Sequence, residues 1–196
     1  MRVSREKAAQ NRQRIIEVAA KLFRERGFDG IGVADLMKSA GLTHGGFYGN
    51  FESKEDLMMQ AATHALEGSF DRFKNVADRG GKNALSIVAS TYLSSGHRDQ
   101  PGEGCAMAAL GAEAARHDSP LRAVFRKSVQ SMVELLTQLV PGKSKRAKRE
   151  RALATFASMV GAMVLARAVD DAELSDEVLR SVLRTIIRPD SSSNAE

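Results

Sequence analysis

The stretch from Gly27 to Glu55, GFDGIGVADLMKSAGLTHGGFYGNFESKE, reads as two short helices joined by a tight turn. Val33, Leu36, Met37 and Ala40 recur at i, i+3, i+4 and i+7, which gives the first short helix one apolar face that must pack on something. Gly32 is its expected N-cap. Asp35 sits three residues on, where a carboxylate can reach back to the cap N–H, and Ile31 and Leu36 take the flanking staple positions. Gly41, able to adopt a positive φ, ends this helix, and Thr43 restarts the chain as an N-cap before His44-Gly45-Gly46-Phe47-Tyr48. This is the punctuation of a helix-turn-helix.

Two adjacent glycines in the first turn of a helix cost about 1 kcal/mol each relative to alanine. Either this helix end lies close against another surface, for which a DNA major groove qualifies, or the segment is a loosely wound loop. The run that follows favours the first alternative. Phe47 and Phe51 share a face and Tyr48 points away from it, so that its phenol is a natural donor to phosphate. Ser53 caps a further helix with Asp56 at the capping-box position, and Lys54 stands in the first turn, where a cation opposes the helix dipole and suggests a bound anion.

With these residues, Gly27 to Leu57 resembles the DNA-binding domain of the tetracycline-repressor (TetR) family of bacterial transcription regulators, and the resemblance extends upstream through the first helix. It departs from the pattern at Gly32, where a capping threonine or serine that touches phosphate is common, and at Asn50, where histidine or another aromatic residue is usual. The resemblance implies phosphate contacts from Tyr48 and Lys54 and groove contacts around Thr43, His44, Gly45, Gly46 and Asn50. It also implies a homodimer on a double-stranded DNA operator, most often a repressor, released by a small-molecule effector.

Charge agrees with that expectation once it is located. The net +5 lies entirely within residues 1–26, where eight basic side chains, Arg2 and Arg5 among them, face only Glu6, Glu17 and Glu25. A charged lead-in is ordinarily a solvated arm; beside a reading head it is expected to follow the DNA backbone, with Arg5 as a contact. The single cysteine, Cys105, excludes an internal disulfide, and no N-terminal apolar run resembles a signal peptide or a membrane span, so a cytoplasmic protein with no membrane partner is expected.

The rest of the chain reads as helix after helix. Ile15, Ile16, Ala19, Leu22 and Phe23 stripe a helix from about Glu6 to Arg26. A long helix runs from Ser53 to about Val76, and another from about Asn83 to Ser95. His97–Gly104 is expected to be a loop, because it is crowded with helix breakers, and is the expected moving part of a switch. Cys105 opens the next helix, Ser119-Pro120 another, and Asp170-Asp171 precede the last, stopped by Pro189. Lys143 to Arg151 holds six basic residues against Glu150 alone and reads as a solvated helix start. No strand alternation, repeat, phosphate loop or metal-ligand cluster is apparent, and neither cofactor nor metal is expected.

The expected fold is therefore all-α: a three-helix helix-turn-helix domain over residues 1–52, a larger helical bundle for ligand binding and dimerisation over 53–188, and a disordered tail at 189–196. Met107, Phe125, Met132 and Phe156, with Cys105, are the candidate lining of an apolar effector site. The last two helices are expected to pair with a second copy through Phe156, Val160, Val164, Val182 and Ile186. Cys105, at a helix N-terminus where the dipole favours thiolate, admits an alternative in which the same fold senses oxidants or electrophiles; a buried small apolar residue is the plainer reading. An enzyme built on Cys105, His97 or His117, and Glu113 finds no support in their spacing, and no catalytic residue is expected.

Overall fold

The computed structural model describes residues 5–117 and 119–188, the side chain of Ser119 excepted. Arg2, the cap expected from Ser119, the stop at Pro189 and the tail 189–196 lie outside them. All regular structure among the described residues is helical: α1 (Arg5–Arg26), α2 (Val33–Ser39), α3 (Lys54–Gly80), α4 (Ala84–Tyr92), α5 (Ser95–Asp99), α6 (Ala106–Ala114), α7 (Ser119–Leu139), α8 (Lys145–Ala168) and α9 (Ala172–Ile187).

The chain divides into two compact units, but not at residue 52. The first comprises the residues up to Asp71 together with Gln100–Val129. The helix-turn-helix cannot close its core alone: Phe23, Phe28, Leu36, Met37, Phe47 and Phe51 share one buried cluster with Leu57 to Leu66 of α3, Ala106, Leu110 and Ala114 of α6, and Leu121 and Phe125 of α7. A three-helix head of this size buries too little apolar surface by itself, and α6 with the start of α7 supplies the missing wall.

The second unit comprises Arg72–Asp99 and the residues from Gln130 on. Phe73, Val88, Tyr92, Leu136, Phe156, Met159, Met163 and Leu179 are among its buried side chains. Real caps start its last two helices: the Ser144 hydroxyl accepts from the Ala147 N–H at 3.1 Å, and the Asp171 carboxylate accepts from the N–H groups of Glu173 and Leu174 at 2.9 and 3.0 Å. Between Ala152 and Ala166 helix α8 carries no charged residue, and an 18-residue window reaches a mean hydropathy of 1.2. By length and composition alone that would suffice to cross a membrane, yet the same composition suits a helix covered on both faces.

The segment expected to be a loop is ordered. His97–Asp99 belongs to α5, and Pro101–Glu103 forms a 3-10 turn. Arg167 of α8 donates to the carbonyls of His97 at 2.6 Å and Arg98 at 3.1 Å, while the Arg98 guanidinium binds Asp176 at 2.6 Å and the Ser175 hydroxyl at 3.0 Å. These bonds satisfy the end of a five-residue helix too short to hold by itself, with Gly96 inside it. The long helix α3 also runs past Val76 to Gly80, and Gly81, with φ of +52°, turns the chain.

Candidate nucleic-acid interface

Helix α2 starts at Val33 after Gly32, whose backbone is extended, and Gly32 provides no side-chain cap. Asp35 is exposed and does not return to the cap N–H; the first turn closes instead through the Leu36 N–H and the Gly32 carbonyl at 3.1 Å. Gly41, with φ of +70°, makes the turn, and the guanidinium of Arg14 lies over it, 3.2 Å from where a Cβ would stand.

The second element is shorter than the sequence suggests. Thr43 is extended, His44–Gly46 forms a single 3-10 turn, and two further turns return the Asn50 and Phe51 N–H groups to the Phe47 carbonyl at 2.9 and 3.0 Å. Three glycines in five residues, at 45, 46 and 49, explain why a regular α-helix does not propagate. Phe47 and Phe51 stack at 5.6 Å and are both buried, which anchors the element from beneath.

That anchoring turns the other side outward. Thr43, His44 and Gly45 are exposed, and Tyr48 is 70% exposed, its ring edge-on to Phe47 at 5.2 Å and to His44 at 6.3 Å. Gly45 has neither a positive φ nor any atom within 4 Å of an added Cβ, so nothing inside the chain requires a glycine there.

Asn50 differs from the rest of the expected contact set. It is half-buried, and its side-chain amide donates to the Gly46 carbonyl at 2.7 Å, so one of its two N–H donors is committed to the end of the 3-10 turn. Arg12 of α1 was not singled out by sequence, yet it holds the same corner: its Nε donates to the Asn50 carbonyl at 3.3 Å, and its guanidinium lies 5.1 Å from the Phe51 ring centre. No spacing rule pairs residues 38 apart, so only the tertiary fold reveals it.

Ser53 caps α3 as expected, its hydroxyl accepting from the Asp56 N–H at 3.1 Å. The return arm of the capping box is shifted by one residue, because the Asp56 carboxylate accepts from the Glu52 N–H at 3.2 Å. The Glu55 backbone N–H and the Ser53 hydroxyl hold the Glu55 carboxyl below the usual carboxylate range. Lys54 lies 4.0 Å from Asp29, which is 89% exposed, an ion pair weak enough for a phosphate to displace. Arg5 is exposed at the first residue of α1.

The other candidates fall into separate units. Cys105 and Phe125 are buried in the first, where Met107 is half-buried; Met132 and Phe156 are buried in the second. Cys105 is the N-cap residue of α6 and only 3% exposed, so packing accounts for it. Phe156 and Ile186 are already buried within one chain, at 6% and 8% exposure, whereas Val164 is 45% exposed and Val160 and Val182 are intermediate.

Residues 15–61, which hold the second half of α1, all of α2, the glycine-rich turn and the start of α3, match the family described as bacterial regulatory proteins of the tetR family. This N-terminal segment matches the TetR family. A helix-turn-helix-type transcriptional regulator from Staphylococcus aureus is 36% identical over 74 residues, which is 38% of this chain and 40% of that protein. The chain thus matches less than half the length of the curated relatives. Among solved structures, a TetR-family regulator from Chloroflexus aurantiacus superposes with a TM-score of 0.76 at 26% identity, over 92% of this chain and 96% of that one. Another TetR-family regulator, from Cytophaga hutchinsonii, gives 0.77 at 24% identity over 96% and 100%. The TetR likeness in sequence is thus concentrated at the N-terminal end, and the likeness in fold extends over nearly all of the chain.

Proposed function

We propose that this TetR-family chain is a DNA-binding transcriptional regulator that reads a palindromic operator as a homodimer and represses until a small apolar effector releases it. The observation that carries the reading is the unexplained glycine at 45. A residue that packing does not require, flanked by exposed Thr43, His44 and Tyr48 on an element anchored from beneath, suits a surface that another backbone or groove approaches closely. Its place of action is the cytoplasm, where the DNA is, and the reaction it performs is binding, not catalysis.

Each side chain then has a separate task. Tyr48, Lys54 and Arg5 hold phosphates and set the register, while Thr43, His44 and the Gly45-Gly46 backbone meet base edges. Asn50 supports the turn from behind. The effector acts through the helices that follow the reading head, and effector and operator affinities are coupled reciprocally.

Selection of duplexes from a random pool by the full chain tests the reading. The expected product is a near-palindrome with half-site centres about 34–36 Å, or a multiple of that, apart. Lys54→Ala then weakens selected and random duplexes alike and lowers the salt slope by about one unit, whereas His44→Ala mainly reduces the preference for the selected duplex. Failure to enrich any sequence would overturn the proposal, and an equal loss on both duplexes would remove His44 from the reading set.

A further inference from the structure

Helix α1 ends at Gly27, whose φ is +79° and whose N–H donates to the Phe23 carbonyl at 2.8 Å. This is the one-bond left-handed termination; the two-bond form would also return the next N–H to the helix. Here that next N–H belongs to Phe28, a fully buried residue, so the donor cannot be left to water. Its acceptor comes from 85 residues further along: Oε2 of Glu113, on α6, accepts from the Phe28 N–H at 2.7 Å.

The other carboxylate oxygen closes over the turn. Its φ holds residue 27 to glycine, and a Cβ there would stand 2.6 Å from Oε1 of Glu113 and push the carboxylate aside. One turn along from Glu113, the His117 ring meets the Phe28 ring edge-on at 5.5 Å. A negative charge beside the C-terminal end of α1 opposes that helix's dipole, so helix stability alone does not account for a carboxylate there. What the position does require is a strong acceptor for a buried backbone donor, and a charged one gives the firmer bond.

We propose that Glu113 is a positioning residue. By clasping the Phe28 N–H it fixes the α1–α2 turn on α6, so that α6 sets the attitude in which Thr43–Gly46 is presented to DNA. The proposal rests on the DNA-reading function above and adds to it the residue that ties the reading head to α6. A displacement of α6 reaches the head through this bond and the Phe28–His117 contact, within a single compact unit.

The test uses the full-length chain with Glu113→Leu, which removes the acceptor, and Glu113→Gln, which keeps a neutral one. Amide exchange at Phe28 is followed by NMR, and affinities for the wild-type-selected duplex and a random duplex are measured at a temperature where each variant is folded. In Glu113→Leu the Phe28 amide exchanges about tenfold faster or more while amides inside α1 keep their protection. Preference for the selected duplex falls, and random-duplex binding, carried by phosphates, stays within about twofold. Glu113→Gln lies between wild type and Glu113→Leu in both readouts, and carries the test if Glu113→Leu does not fold. Unchanged Phe28 exchange, faster exchange throughout α1, or undiminished preference for the selected duplex would overturn the proposal. If the wild-type chain itself selects no duplex, the DNA-reading function fails and the positioning role with it, while the Phe28 exchange shows separately whether the clasp exists.

Discussion

A methyl group added at Gly45 would meet open space, with no atom within 4 Å and no positive φ to strain. Gly45→Ala should therefore leave stability unchanged or raise it by up to about 1 kcal/mol, through the lower entropy of the unfolded chain. Its affinity for the selected duplex should nevertheless fall. Melting curves and fluorescence anisotropy on one preparation check both halves, and undiminished binding would show that no surface approaches residue 45. His97 poses a different question. Burial beside Tyr92 and Phe73 pushes its pKa below the ordinary 6.5, the Nδ1–H donated to the Tyr92 carbonyl at 2.6 Å pulls the other way, and Arg167 and Arg72 add to the depression. Below the ordinary value the unfolded chain then binds more protons than the folded one. The contribution of neutral His97 is thus complete above about pH 6.5 and is lost as pH falls toward the depressed folded value. Wild type should lose more melting temperature than His97→Gln between about pH 7 and about pH 5.5, and parallel curves would show that His97 is not responsible.

Helix starts can be compared bond by bond: Ser53 caps as expected, whereas Gly32 and Thr43 make no side-chain cap bond. Ser53, Ser144 and Asp171 each cap the helix that follows, because a cap is a local bond between residues two or three apart. Ser53→Ala should cost about 1 kcal/mol and lower the thermal midpoint of the chain; an unchanged midpoint would mean that the shifted bond from Glu52 to Asp56 holds the turn alone. The glycine-rich second element and α5 show the converse. The element at His44–Gly46 forms only one 3-10 turn because its own residues resist helix, while α5 forms although its residues resist it, since Arg167 satisfies its carbonyls from 69 and 70 residues away. A local rule has no access to a partner at that distance.

At the scale of the whole molecule, α8 and α9 leave apolar side chains in water. Leu153, Val164 and Leu165 of α8 are 44, 45 and 57% exposed, and Leu174 and Ile187 of α9 are each 44% exposed. With no charge on α8 between Ala152 and Ala166, this face suits a second copy of the chain better than solvent. Leu165→Glu should give monomers in sedimentation velocity at micromolar concentration with the fold intact. Phe156→Ala, at a site already buried within one chain, should instead destabilise the fold by about 3–5 kcal/mol. A Leu165→Glu protein that sediments as a dimer would move the interface elsewhere.

The amino-acid sequence determined the all-helical class, the helix-turn-helix punctuation at Gly27, Gly41 and Thr43, the burial of Phe47 and Phe51 and the exposure of Tyr48. Each follows from bonds and periodicities that act within a few residues. His44 and Gly45 came forward through the family resemblance and not through periodicity, and both are exposed. Tertiary structure alone decided that the head takes α6 and the start of α7 into its core. It likewise committed the Asn50 amide to Gly46, brought Arg12 to Phe51, and gave the Phe28 N–H to Glu113. Those outcomes depend on which distant group arrives at an unsatisfied donor or an uncovered ring, and distance along the chain carries no record of it.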